Sequence, residues 1–124
     1  MATATSKAST NAPFGLARTL KVGAGMLIAV FAAWLVWNWS TIKGEAQVGV
    51  AYGAHIACSC RYIEGRDMAS CETDKEAGME MVSLSDDPAN KRIYASVPFL
   101  AEAVAERRGE FGCVQLSKVE IEAL

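Results

Sequence analysis

From Val22 to Ile42 the chain reads VGAGMLIAVFAAWLVWNWSTI, a run without a single charged residue. As a helix rising about 1.5 Å per residue, it would extend about 32 Å, enough to cross a hydrocarbon layer about 30 Å thick. No other feature narrows the fold as far. A helix that is apolar on every side needs lipid or a large protein core around it, and the residues that follow are too few to supply that core. Arg18 and Lys21 close one end of the run and Lys43 closes the other. Trp34, Trp37 and Trp39 lie toward the Lys43 end, where amphipathic rings favour the headgroup layer. Asn38 and Ser40 suit the same wetter depth.

Charge sets a direction. Lys7, Arg18, Lys21 and Lys43 are the only ionisable side chains of residues 1–43, whereas residues 44–124 carry eight Lys/Arg against fourteen Asp/Glu. The positive-inside rule places the basic N-terminal flank in the cytoplasm and the acidic part across the membrane, inner or plasma, in a periplasmic or extracellular space. An acidic domain does not suit nucleic acid, whose phosphates require clustered cations. The expected organisation is a flexible basic tail over residues 1–17, a transmembrane anchor over 18–43, and a small exported domain over 44–124. A cleaved signal peptide is the competing expectation. Its best small-x-small site is Gly44-Glu45-Ala46, which has a charge at its centre. A short link over residues 43–46 would hold the domain near the bilayer.

Residues 46–63, AQVGVAYGAHIACSCRYI, favour a helix with Val48, Tyr52, His55 or Ile56, and Cys58 or Ser59 at helical spacing. Gly49 and Gly53 weaken that reading and leave a strand open. Gly65 is placed to terminate the element. A short second helix is expected over residues 67–78, capped by Asp67 and stopped by Gly78. Beyond it, residues 79–84 alternate and residues 85–90 carry turn chemistry. Residues 92–97 alternate again, with Ile93, Ala95 and Val97 on one face. Pro98 suits a strand end. Residues 99–108 are ambiguous, since Ala and Glu favour helix while the alternation favours strand. Residues 111–116 read as a last strand. The expected fold is α+β: one N-terminal transmembrane helix, then a disulfide-stapled domain with a three- or four-stranded antiparallel sheet and one or two helices.

Four cysteines, Cys58, Cys60, Cys71 and Cys113, all follow the apolar run. In a small exported domain an even number points to two disulfides, with three connectivities open. Cys58 and Cys60 are too close to pair, and on a helix they point about 200° apart. One would then staple the sheet and the other a neighbouring segment. A Cys60–Cys71 bridge would close a short loop across Gly65, and a Cys58–Cys113 bridge would tie the first element to the last strand. Loops of such lengths are worth about 2–5 kcal/mol each. The competing chemistry is a soft-metal site on His55-x-x-Cys58-x-Cys60 with Cys71, helped by Met68, Met79 and Met81. The spacing matches neither a redox C-x-x-C nor a c-type haem motif, and no cofactor is expected.

The stretch AHIACSCRYIEGR over residues 54–66 and the later run RIYASVPFLAEAVAERRGEFGCVQL over residues 92–116 resemble the N-terminal, non-catalytic segment of exported serine hydrolases of the β-lactamase-like superfamily. The resemblance implies a Cys58–Cys113 bond, with Cys60 and Cys71 as an additional pair. In that family the catalytic Ser-x-x-Lys belongs to a large downstream domain, which is not expected in this chain. The one Ser-x-x-Lys here, Ser40-Thr41-Ile42-Lys43, precedes the resembling region and lies at the membrane edge. It reads as an interfacial segment with a snorkelling lysine.

The remaining candidates are bland. His55 is the only histidine and reads as a packed or partly exposed residue. Asp86-Asp87 reads as a solvated turn, and Glu102, Glu106, Arg107 and Arg108 as a charged outer face. Asn38-Trp39-Ser40 matches a glycosylation pattern but sits at the membrane. With no catalytic residue singled out, the expectation is a non-enzymatic, membrane-anchored binding or accessory module. It would contact the bilayer through residues 22–42, together with a protein partner that the sequence does not identify. The alternative is a helper, or detached N-terminal segment, of a β-lactamase-like serine hydrolase or amidase.

Overall fold

The computed structural model describes residues 14–124, so most of the expected N-terminal tail lies outside the described residues. The first element, α1, is a helix of 49 residues, Phe14–Tyr62. It contains the one stretch among the described residues that is long and apolar enough to cross a membrane, and none of that stretch is covered by protein. The expected link over residues 43–46 is absent. These residues are helical, because Lys, Glu and Ala favour helix and the single Gly44 costs only about 1 kcal/mol.

The chain divides between Asn38 and Trp39 into two units. In the second unit, α1 ends where Gly65 turns the backbone at φ +76° and the Arg66 N–H donates to the Cys60 carbonyl at 3.1 Å. The short helix α2, Met68–Glu72, follows. Asp67 occupies its N-cap position without making a side-chain capping bond, and α2 ends well before Gly78. Four strands then form an antiparallel meander in the order β1-β2-β3-β4: β1 Ser83–Asp87, β2 Arg92–Val97, β3 Ala101–Arg107 and β4 Cys113–Gln115. The sheet is four-stranded and the class α+β, as the sequence indicates.

Several boundaries differ from expectation. Residues 79–82 form turns, not strand, because Met79 and Val82 are drawn into the core from one side of a reversal closed by a Val82 N–H to Met79 carbonyl bond. The turn expected over residues 85–90 shifts to residues 88–91, and Asp86 and Asp87 are strand residues paired with Ile93 and Arg92. Residues 101–107 are strand, since in that register Ala101, Ala103 and Ala105 face the same way as their partners Val97, Ala95 and Ile93. Gly109–Phe111 forms a 3-10 turn, which shortens the last strand. The final segment forms α3, Lys118–Glu122, held by a reciprocal capping box between Ser117 and Glu120.

The core sits between α1 and the sheet. The covered face of α1 is Val50, Gly53, Ala54, Ala57 and Cys58, at the i, i+3, i+4, i+7, i+8 spacing of a helical stripe. This is not the face expected from sequence: Val48, Tyr52 and His55 are exposed. Size decided the matter. The opposing sheet face is lined by Ala95, Ala103 and Ala105 around Ile93, and only small helix residues permit the backbones to come this close. At Gly53 even a Cβ would stand 3.1 Å from the Met79 Cε and 3.3 Å from the Val82 Cγ1.

Candidate functional site

Two disulfides fasten this unit. Cys58 of α1 is bonded to Cys113 at the start of β4, and Cys60 to Cys71 in α2. Because successive helical residues are rotated by about 100°, Cys58 and Cys60 address different neighbours from the same helix. The loop-closure relation gives about 4 kcal/mol for the longer bridge and about 3 kcal/mol for the shorter. All four sulfurs are committed, so the His55-x-x-Cys58-x-Cys60 pattern offers no thiolate to a metal. No group of three His, Cys, Asp or Glu side chains that could hold a metal ion occurs among the described residues. Ser40 and Lys43 lie one turn apart on α1 with Ser40 exposed.

Arg66 organises the Cys60–Cys71 loop. Its Nη1 donates to Asp74 Oδ2 at 2.6 Å, and its Nε and Nη2 donate to Ser70 Oγ at 3.0 and 2.7 Å. Asp74 and Glu64 hold the guanidinium in its charged form. Nearby, Asp86 corrects the sequence expectation. It is no solvated turn residue: its carboxylate is 14% exposed and accepts from Arg61 Nε at 3.0 Å and from the Tyr62 hydroxyl. Burial, followed by the bond to Asp86, pushes the Tyr62 phenol well above its ordinary value. This cluster clamps the end of α1 to β1.

Glu106 is corrected in the same way. Arg92 Nε donates to it at 2.5 Å and Arg108 Nε at 3.2 Å, which lowers its pKa from the usual carboxylate range. Arg108 also donates through Nη2 to Glu120 at 3.0 Å. The Ser117 backbone and hydroxyl, with Arg108, hold the Glu120 carboxyl down at about 2. Only Glu102, Arg107 and Arg108 of the expected charged face are exposed, and Arg108 is engaged. These groups interlock β2, β3 and α3, and their side chains are occupied by one another.

A groove of about 480 Å³ lies between α1, the β2–β3 turn and α3. Lys43 and Gln47 of α1 form one wall, residues 96–102 a second, and Lys118, Ile121 and Glu122 a third. Gln47 Nε2 donates to the Glu102 carbonyl at 2.9 Å and ties the start of β3 to the helix. The lining includes two cations, Lys43 and Lys118, and two anions, Glu102 and Glu122, so formal charge cancels. The described lining residues include one hydroxyl, Ser96, and no imidazole or thiol. Such a surface can hold an apolar or zwitterionic group between its four charges.

The turn in this groove went unread in the sequence. Pro98 and Phe99 are central residues of a tight turn closed by the Leu100 N–H to Val97 carbonyl bond at 3.1 Å. The available signal was Val-Pro-Phe-Leu between two alternating stretches: proline in a turn followed by an aromatic where a polar residue or glycine is usual.

No family model, no curated protein and no solved structure matches this chain. The resemblance to β-lactamase-like hydrolases therefore rests on the sequence motifs alone.

Proposed function

We propose that this chain is a single-pass membrane protein with a cytoplasmic N-terminus, whose disulfide-stapled domain acts across the membrane as a non-enzymatic binding or accessory module. The observation that carries this reading is α1. One helix contains both the uncovered apolar stretch and two of the four bonded cysteines. Disulfides persist in oxidising compartments, and the cationic excess lies on the opposite flank of the apolar run. Cleavage after Ala46 would cut within α1 and remove Lys43, which lines the groove beside Gln47. That argues for an anchor retained in the mature protein.

Alkaline extraction of membranes, followed by non-reducing mass spectrometry of the intact chain, tests this directly. The expected result is a pelleted chain that retains residues 14–46, with its domain digested only by protease added on the non-cytoplasmic side. A soluble chain beginning after Ala46, or a domain cleaved from the cytoplasmic side, would refute it. Crosslinking in intact membranes is expected to capture a protein partner, and repeated failure would count against the binding role.

A second reading, a helper of a β-lactamase-like serine hydrolase or amidase, draws on one observation: the Cys58–Cys113 bond is the pair that the sequence resemblance implies. Co-purification of a protein labelled by a fluorophosphonate probe would favour it.

A further inference from the structure

Two phenylalanines stand clear of the domain near opposite ends of β3. Phe99 is 101% exposed before the strand and Phe111 is 87% exposed after it. Seven strand residues between them span about 23 Å. The two turns are built differently. In the far turn the positive φ angles fall on Gly109 and Gly112, which leaves Phe111 as an ordinary exposed side chain. In the near turn the positive φ, +63°, falls on Phe99 itself. Proline at i+1 followed by positive φ at i+2 is a type II arrangement, and glycine normally takes the second place. A large L-residue there is strained on the left-handed side of the backbone map. Lys91 is also exposed at positive φ, but Phe99 combines that backbone with a large apolar ring that buries no surface within the domain, which points to a contact outside it.

The position of the turn identifies that contact. Phe99 lines the groove together with Lys43, and Lys43 is the first charged residue after the apolar run. The α1 wall of the groove, from Lys43 to Gln47, is one helical turn, which rises about 6 Å. A headgroup layer is about 5–8 Å thick on each side of the hydrocarbon. If α1 leaves the hydrocarbon at Lys43, the groove would match the depth of one headgroup layer, close to Trp39, a residue type that settles there. Phe111, a strand length away, lies beyond it.

We propose that the residue 98–100 turn dips Phe99 into the headgroup layer of the same bilayer that α1 enters, giving the domain a second, shallow attachment. This rests on the anchoring reading above. The partner is the lipid surface itself. Because Lys43 and Lys118 are balanced by Glu102 and Glu122, the contact depends on the apolar ring and is insensitive to salt, unlike an attachment to anionic lipid through a basic patch.

The test uses the full chain with p-benzoylphenylalanine in place of Phe99, Phe111 or Phe31, reconstituted in phosphatidylcholine vesicles and irradiated. Intact mass without reductant verifies that both disulfides have formed in each variant. The Phe31 probe lies in the apolar run and must give lipid adducts if the anchor is inserted. With that satisfied, the expected result is about tenfold more lipid adduct at position 99 than at 111, unchanged by added salt. Equal yields at 99 and 111, crosslinks from 99 only to a second copy, or a yield at 99 that salt abolishes would each overturn the proposal. Failure at Phe31 would instead refute the anchoring reading on which it stands.

Discussion

The two halves of α1 treat large apolar residues and small ones in opposite ways. Before Asn38 the large apolar side chains, Leu27, Ile28, Val30, Phe31 and Val36 among them, point outward and nothing in the protein covers them. From Val50 to Cys60 the covered residues are mostly small, while Val48 and Tyr52 are exposed. A helix whose surroundings are fluid lipid needs bulk apolar surface and no particular shape. A helix pressed onto a sheet face of alanines needs to be thin. Hydropathy thus selects residues in the first half, and volume selects them in the second.

That contrast can be broken from either side. The largest effect is expected from Cys58→Ser with Cys113→Ser, which removes the longer staple. Unfolding in detergent, followed by proteolysis, should show a loss of about 4 kcal/mol in the domain, while alkaline extraction is unchanged. Phe31→Arg should do the reverse. It costs roughly 3 kcal/mol of insertion free energy, so the share of extracted protein rises while the domain keeps its unfolding midpoint. The sharpest comparison is one substitution made twice. Ala57→Leu overfills the α1–sheet contact and should destabilise the domain by about 1–3 kcal/mol. Ala33→Leu, on the uncovered half, should leave stability and extraction unaltered. If both alanines tolerate leucine equally, the volume argument fails.

The smallest effect is a pH dependence confined to the domain. The Glu120 carboxyl has a lower pKa folded than unfolded, so folding favours its charged form. Its contribution is complete above about 4.5 and is lost as pH falls through about 2. Glu106 shifts in the same direction through Arg92 and Arg108. Unfolding midpoints should therefore fall between these pH values, and Glu120→Gln should flatten the slope. The run from Val22 to Ile42 carries no ionisable side chain and should show no such slope.

How far each feature could be read in the sequence follows the range of the interaction that fixes it. The uncharged run and the alternation of residues 92–97 are local patterns, and both are legible. So is Gly65, where a positive φ is needed at the helix end. Residues 101–107 are not decided locally, because Ala and Glu favour helix; pairing of Ala103 with Ala95 and Ala105 with Ile93 settles them as strand. Asp86 was misread because Asp-Asp-Pro is local turn chemistry, whereas its partners Arg61 and Tyr62 lie more than twenty residues earlier. The face of α1 was misread because helical periodicity reports spacing and not what presses against it. Phe99 was missed because its conformation depends on where strand pairing ends.

The separation of Cys58 and Cys60 by two residues also bears on the order of events during biosynthesis. Cys71 becomes available soon after both, whereas Cys113 is synthesised much later, so both early thiols meet the same first candidate partner. Helix formation resolves the competition, because with α1 formed only Cys60 is turned toward the α2 segment. Cys58 is left to wait, two residues from a newly made bond and free to exchange with it. The long bridge therefore records completion: a molecule that carries it has brought β4 against α1, and one that lacks it keeps Cys58 as a thiol.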